Sequence, residues 1–182
     1  MNSPPAMDQL AAYYAQRAAE YERIYAKPER QADLAVLRER ICSLFAGRKV
    51  LELACGTGYW TEVIASSAAR ITAIDVNEEV LRIARTKSYP ENRVKFIAGD
   101  CYAPPDLGRS HDALFAGFWW SHVPLGKLDL FLESFLSSIA PGGLIAFLDN
   151  RYVEGSSTAI SRRDEDGNSY QLRKLEDGST HE

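Results

Sequence analysis

Cysteine is scarce in this chain, and its first residues carry no secretion signal. The three cysteines, Cys42, Cys55 and Cys101, are odd in number and follow no disulfide or metal-binding spacing, so no metal site is predicted. No apolar run approaches the roughly 18 residues that a membrane-spanning helix needs, and the segment Met1–Gln9 is polar. We therefore expect a cytoplasmic protein with reduced thiols and no membrane partner.

Positive charge is not in excess either. The 182 residues include 21 basic and 25 acidic side chains, mixed along the sequence, with a formal net charge of −4. Proteins that bind a phosphate backbone normally present a basic stripe. This composition therefore argues against nucleic acid as a partner, and the length fits one domain with a sizeable core.

The most informative segment that is present is 50–61, VLELACGTGYWT. An apolar strand leads into a glycine-rich turn, and a helix follows. Gly56 and Gly58 let the backbone turn sharply and approach a ligand closely, while the N–H groups at the start of the helix point at the same place. This arrangement predicts a binding site for a nucleoside cofactor.

The third glycine of a dinucleotide fingerprint is missing, because Trp60 stands where it would be. Its absence argues for a ligand with less negative charge than a pyrophosphate. Asp75 ends the next apolar run, 70–75, and is suited to accept both hydroxyls of a ribose. A neutral ribose diol is therefore favoured over a phosphate at that strand end.

These residues resemble the first motif of class I S-adenosylmethionine-dependent methyltransferases, E-x-G-x-G-T-G. Glu52, Gly56, Thr57 and Gly58 match it, and Ala54 replaces the usual first glycine. Within that class, the chain resembles the broad small-molecule group of ubiquinone and menaquinone biosynthesis methyltransferases. The resemblance implies S-adenosylmethionine or S-adenosylhomocysteine as the cofactor and a small molecule as the methyl acceptor.

The remaining pattern predicts alternating strands and helices, and therefore an α/β, doubly wound, Rossmann-like and mostly parallel sheet. Asn77 is a candidate N-cap for a helix after Asp75. The predicted domain consists of an N-terminal helical cap at 1–47, a cofactor-binding core at 48–150, and a polar loop with a partial hairpin at 151–182. Further predicted elements are strands at 94–98, 113–118 and 144–148, helices at 8–26, 28–44 and 128–139, and a tight turn at 141–143.

An aromatic N-terminal helix has two interpretations. Tyr14, Arg17 and Tyr21 fit a Y-x-x-R-A-x-x-Y pattern that, in similar methyltransferases, closes over the methionine end of the cofactor; alternatively, the rings only dock the helix on the core. The resemblance also implies that Asp100 meets the adenine amino group. The predicted cofactor-binding residues are Tyr14, Arg17, Tyr21, Glu52, Ala54, Cys55, Gly56, Thr57, Gly58, Trp60, Asp75, Val76, Asp100, Cys101, Tyr102, Gly117 and Phe118.

The segment 117–124, GFWWSHVP, lies where an acceptor would approach. Of its adjacent tryptophans, one is expected to pack and the other to line a pocket. His122 is the candidate general base, because an imidazole titrates near neutral pH; alternatively, it only orders the loop. His111 stands at the opposite end of its strand and is interpreted as structural or exposed. The predicted substrate residues are Trp119, Trp120, His122 and Arg151.

Three alternative functions compete with methyl transfer to a small molecule. Amino-group methyltransferases of nucleic acids carry an Asn/Asp-Pro-Pro-aromatic segment after the fourth strand, and this chain has none there. Polyamine synthases need acidic residues for a cationic amine, but the loop is aromatic. A protein that binds the cofactor without turnover stays open, as does the identity of the acceptor atom: oxygen, nitrogen or carbon.

The C-terminal segment predicts an incomplete sheet edge. Residues 155–168 are expected to form a loop with a solvated charge run at 162–166, and 169–175 a strand that turns toward Thr180 without a partner. The fifth strand would then expose an apolar edge, which favours association. We expect either a truncated form of a longer protein or a homodimer that covers this edge.

Overall fold

A five-stranded parallel sheet forms the centre of the molecule. The computed structural model describes residues 21–155, 157–174 and 180–181. The strands are β1 Lys49–Leu53, β2 Arg70–Asp75, β3 Val94–Ala98, β4 His111–Gly117 and β5 Ile139–Leu148. Their order in the sheet is β3-β2-β1-β4-β5, and each neighbouring pair is parallel. The predicted doubly wound sheet is therefore confirmed.

Helices cover both faces of this sheet. Along β1, Val50 belongs to one buried cluster and Leu51 to the other, because successive side chains point to opposite faces. Ile64 of α2 packs in the first cluster, and Phe131 of α4 packs in the second. Burial on both faces explains why these strands are continuous apolar runs. The helices are α1 Gln31–Phe45, α2 Tyr59–Ala65, α3 Glu78–Ala84 and α4 Leu128–Ser137, with 3₁₀ turns at Tyr21–Tyr25, Pro28–Arg30, Trp120–His122 and Leu125–Lys127.

The strand order determines where a ligand can bind. The chain winds outward from β1 through β2 to β3 and then crosses back to β4 on the other side of β1. Loops leaving β1 and β4 therefore diverge and leave a crevice at the carboxyl ends of the strands. Asn77 caps α3 as predicted, because its side-chain oxygen accepts the Glu79 N–H at 3.0 Å.

The predicted helices need three corrections. In the described part of the helix predicted at 8–26, Tyr21–Tyr25 is a 3₁₀ turn. Pro28 does not begin the second predicted α-helix; it starts a 3₁₀ turn, and α1 begins at Gln31. Leu44, at the end of the helix predicted at 28–44, is 41% exposed, and Phe45 is fully buried in its place. The helix is rotated so that its last buried residue lies one position further along the chain, which brings the larger aromatic ring against the core.

The turn predicted at 141–143 is wrong as a boundary, because these residues lie inside β5. The pairing of β4 with β5 shifts register there, so the extra residues bulge out of the ladder. Gly142 has a φ of +77°. A Cβ on Gly143 would lie 3.0 Å from the backbone oxygen of Asp112. The two glycines therefore allow a tight bulge within one strand.

The C-terminal prediction also needs correction. Strand β6, Ile160–Arg163, lies within the predicted loop and pairs antiparallel with β7, Ser169–Gln171. Arg162 lies over the Tyr170 ring at 3.7 Å, which is a cross-strand contact that a charge run does not reveal. The strand predicted at 169–175 is interrupted after β7, and β8, Arg173–Lys174, pairs with β9, Thr180–His181.

Strand β8 therefore has a partner strand, β9, within the chain. These two strand pairs are separate from the main sheet, and β5 is one of the two edge strands of that sheet in the described part of the chain. Ile145 and Phe147 on this edge are 37% and 39% exposed. The predicted exposure of an apolar edge is confirmed for the described residues.

Candidate cofactor site

The turn after β1 has a backbone that few side chains tolerate. Gly56 has a φ of +55° and Gly58 a φ of +79°. A Cβ on Gly58 would lie 2.7 Å from the Tyr89 hydroxyl oxygen and 3.0 Å from the Ala84 Cβ. A Cβ on Gly56 would meet no described heavy atom within 4 Å. Gly58 is therefore required for packing, whereas Gly56 borders open space that a ligand can occupy.

Asp75 fastens this turn to the end of β2. One carboxylate oxygen accepts the Gly56 N–H at 2.8 Å, and the other accepts the Asn77 N–H at 2.9 Å. Burial raises the pKa of this carboxyl, and the backbone hydrogen bonds oppose that rise. Each carboxylate oxygen has a second lone pair. Asp75 can therefore hold the turn and still accept hydroxyl groups from a ligand.

Glu52 is buried beneath the same turn. Its side chain is 2% exposed, and Oε2 has no hydrogen-bond partner among the described residues. The pKa of Glu52 is raised to about 8: burial is the largest cause and the charge of Asp75 adds to it, whereas the Thr61 hydroxyl and the charge of Lys87 oppose it. A buried carboxylate with an unpaired oxygen is unfavourable. In the described part of the chain, the site therefore offers an acid that the positively charged end of a ligand can pair with.

The ends of β2 and β3 supply a second wall. Val76 directly follows Asp75 and is 58% exposed. After β3, Asp100 is exposed and accepts the Tyr102 N–H at 2.9 Å. Cys101 and Tyr102 are buried; burial raises the pKa of the Cys101 thiol and raises that of Tyr102 to about 12. Cys101 is therefore a neutral packing residue rather than a nucleophile.

The loop after β4 begins with strained backbone. Phe118 has a φ of +58°, and its N–H bonds to the Leu148 oxygen at 2.6 Å. Bulky residues rarely adopt this conformation, and such strain is concentrated at functional sites. Trp119 and Trp120 are both half-buried. The expected division into one packed and one pocket-lining tryptophan is therefore not visible from burial alone.

Two side chains outside this loop hold it in place. The Asp149 carboxylate accepts the Ser121 N–H at 2.6 Å and the Ser121 hydroxyl at 3.0 Å. Asn168, in the turn between β6 and β7, accepts the Leu125 N–H at 2.8 Å. The segment that carries His122 is thus fastened at both ends. Arg151 is exposed beyond β5.

The N-terminal 3₁₀ segment contacts the glycine turn directly. Glu22 Oε1 accepts the Thr57 hydroxyl at 2.7 Å and pairs with Lys87. Tyr25 is buried, and its ring stacks on Tyr59 with centroids 3.8 Å apart. These contacts place the segment against the start of α2.

Known proteins resemble this chain in sequence and in fold. The family described as methyltransferase domain matches residues 50–143, just over half of the chain. The chain belongs to the class I S-adenosylmethionine-dependent methyltransferases. The family, the fold and the cofactor class predicted from the first motif are confirmed.

Two relatives are informative, and one of them, DhpI, matches in two structures. DhpI in complex with S-adenosylhomocysteine is 33% identical, with a TM-score of 0.72 over 96% of this chain and 82% of DhpI. DhpI in complex with S-adenosylmethionine and HEP is 29% identical, with a TM-score of 0.75 over 99% and 81%. A demethylmenaquinone methyltransferase of Staphylococcus aureus is 30% identical over 106 residues, which span 57% of this chain and 43% of that enzyme. The aligned part is thus less than half of that enzyme.

The structure places most predicted cofactor residues at the carboxyl ends of the parallel strands. Those at or just after the ends of neighbouring strands are Glu52, the residues of the glycine turn, Asp75, Val76, Asp100 and Phe118. Trp60 is instead only 4% exposed and packs among aromatic rings, and a Cβ on Gly117 of β4 would lie 3.2 Å from its ring. Tyr14, Arg17 and the side chain of Tyr21 lie outside the described residues.

The surroundings of His111 agree with its interpretation as a structural residue. It is 6% exposed, and Nε2 lies 2.9 Å from the Thr72 hydroxyl. Sequence reasoning missed Glu22, Lys87 and Asn168, which connect the N-terminal 3₁₀ segment, the glycine turn and the loop after β4 to other elements. Their partners are far away in the sequence, so no local pattern identified them.

Proposed function

We propose that this protein binds S-adenosylmethionine across the carboxyl ends of β1, β2 and β3 and transfers its methyl group to a small molecule. The observation that carries this proposal is the Asp75 carboxylate, which is fastened to the glycine turn at 2.8 Å and keeps lone pairs for a ribose diol. Membership of the methyltransferase family and the DhpI complexes support the same cofactor.

Each part of S-adenosylmethionine has a chemically suitable partner among the proposed cofactor-binding residues. Asp75 would accept the ribose hydroxyls, and Gly56 leaves room for the methionine chain to pass over the turn. The unpaired oxygen of Glu52 would lie on the side of the positively charged amino group. Val76 and the segment after β3 would enclose the adenine, with Asp100 accepting its amino group as the resemblance implies.

Methyl transfer then needs mainly alignment and exclusion of water. A lone pair of the acceptor forms a bond to the methyl carbon while the carbon–sulfur bond breaks, and that electron pair stays on sulfur. Because positive charge disappears from sulfur, the protein contributes by holding donor and acceptor in line in a dry site. We propose His122 as the group that removes a proton from an oxygen or nitrogen acceptor.

The loop after β4 and the net charge of the chain support a small molecule, rather than nucleic acid, as the methyl acceptor. The loop after β4 presents Trp119, Trp120 and His122, and the formal net charge of −4 provides no basic surface for a phosphate backbone. No helix in the described part of the chain is long and apolar enough to cross a bilayer. We further propose a cytoplasmic location and a homodimer that covers the β5 edge.

Transfer of labelled methyl groups tests this function. The protein is incubated with methyl-labelled S-adenosylmethionine and a metabolite extract, and separately with HEP, the ligand found with DhpI. We expect a labelled small molecule in at least one reaction, identified by mass spectrometry, and a clearly lower yield with Asp75→Ala at a cofactor concentration below saturation. Tight cofactor binding without any labelled product would instead favour a cofactor-binding protein without turnover.

A further inference from the structure

Lys87 joins three elements beside the glycine turn. It follows α3, and its side chain is only 14% exposed. Its ammonium pairs with Glu22 of the N-terminal 3₁₀ segment and lies 3.8 Å from a carboxylate oxygen of Glu62 on α2. It also lies 5.9 Å from the ring centroid of Tyr59. A mostly buried lysine therefore depends on these acids for its charge partners.

Glu22 extends this link to the turn itself. The oxygen that pairs with Lys87 also accepts the Thr57 hydroxyl at 2.7 Å. Thr57 is 2% exposed and stands between the two glycines of the turn. One carboxylate oxygen thus connects the N-terminal segment, the glycine turn and the residue that follows α3.

A second anchor holds the other end of the same segment. We name residues 21–26 the N-terminal strap. Tyr25 stacks on Tyr59 at 3.8 Å, and the Gln31 side-chain amide donates to the Tyr25 oxygen at 2.8 Å. The strap is also closed internally, because the Ala26 N–H bonds to the Arg23 oxygen at 3.2 Å. The docked strap therefore has a specific set of contacts, and hydrogen exchange at the Ala26 amide can report whether its internal hydrogen bond is formed.

We propose that Glu22 and Lys87 form an ionic latch that ties the strap to the glycine turn, so that cofactor binding and strap docking stabilise each other. The latch acts through Thr57, and its two residues are positioning residues rather than cofactor ligands. This inference rests on the proposed function, since the turn must be the part that binds the cofactor. Linkage requires the coupling to be equal in both directions.

Binding of S-adenosylhomocysteine, measured by calorimetric titration, tests the latch. The proteins compared are the wild type, Glu22→Gln, Lys87→Met and the double variant. Glu78→Gln is the matched control, because it removes the exposed Glu78–Arg85 pair of the preceding helix. We expect each latch variant to weaken binding about five- to fiftyfold, which lies within the usual range of such coupling. The double variant should lose no more affinity than the single variant that binds more weakly. The affinity of the control should stay within about twofold of the wild-type value.

Amide exchange at Ala26 provides a readout that separates coupling from simple destabilisation. In the wild type, S-adenosylhomocysteine should slow this exchange by about the factor that the variants lose in affinity. In Glu22→Gln the ligand should leave the exchange rate at Ala26 unchanged. Lys87→Arg keeps the charge and should therefore retain most of the ligand effect. Circular dichroism verifies that each variant is folded.

Two failures are distinguishable. If the wild type does not bind S-adenosylhomocysteine, the proposed function fails and the latch fails with it. If the wild type binds but folded Glu22→Gln binds within about twofold of it and shows the same ligand effect at Ala26, the latch alone is overturned. Should Lys87→Met fail to fold, Glu22→Gln and Lys87→Arg still decide the outcome.

Discussion

Protonation of Glu52 should make cofactor affinity depend on pH. The carboxyl is buried with an unpaired oxygen, and its pKa is raised to about 8, mainly by burial. If a cationic cofactor binds only the ionised form, the proton must leave first. Each pH unit below the pKa then costs about 1.4 kcal/mol, or tenfold in affinity.

The expected magnitude follows directly. With a pKa of about 8, affinity for S-adenosylhomocysteine at pH 6 should be roughly one hundredfold weaker than the limit for fully ionised Glu52. The range between pH 5.5 and 7.5 is informative, because a free α-amino group stays protonated below about 7.7. Titrations in buffers of different ionisation enthalpy should show close to one proton released near pH 6.

Folding stability of the free protein should respond with the opposite sign. A carboxyl whose pKa is raised on folding contributes stability that is present below about pH 4.5 and is lost as the pH rises through about 8. Glu52→Gln should remove both the pH slope of binding and this loss. Wild-type affinity that is flat from pH 5.5 to 7.5, with no proton release, would refute the reasoning.

Three further predictions test other parts of the site. Asp75→Ala should weaken S-adenosylhomocysteine binding at least about tenfold by calorimetry, because charge-assisted hydrogen bonds are lost; unchanged affinity would contradict the ribose assignment. His122→Ala should lower the rate of label transfer about one hundredfold with unchanged cofactor affinity, and a loss below about threefold would leave it a loop residue. Ala54 has a φ of +50°. Ala54→Gly should therefore raise the free energy of unfolding by about 0.5–1 kcal/mol in urea titrations, since relief of left-handed strain of about 1–2 kcal/mol exceeds the added chain entropy. A clear loss of stability would show that the turn needs the methyl group.

The core of the site was predictable because its signals are local. Gly56 and Gly58 reflect positive φ angles, and such angles restrict the residue types at those positions themselves. Asp75 was predictable because it ends an apolar run, and the carboxyl ends of neighbouring parallel strands meet at one edge of the sheet. The helix after Asn77 likewise follows from a cap only two residues away from its partner.

Contacts between distant segments were not predictable from these signals. The polar stretch at 160–163 is a strand only because Ser169–Gln171 pairs with it, and charged side chains mask that pairing. The exposure of Leu44 and the burial of Phe45 depend on how α1 is rotated against the sheet. Local propensity does not determine such a rotation, because it results from the packing of the whole helix.

Thus residues 50–75 alone determined the cofactor class, since strand, turn and acidic tip are encoded within a contiguous segment. Only the tertiary structure decided that one Glu52 oxygen has no hydrogen-bond partner among the described residues, that Trp60 is buried, and that Lys87 pairs with Glu22. Burial and ion pairing depend on which elements become neighbours. That choice is made by packing across the sheet, where residues distant in sequence remove one another from water.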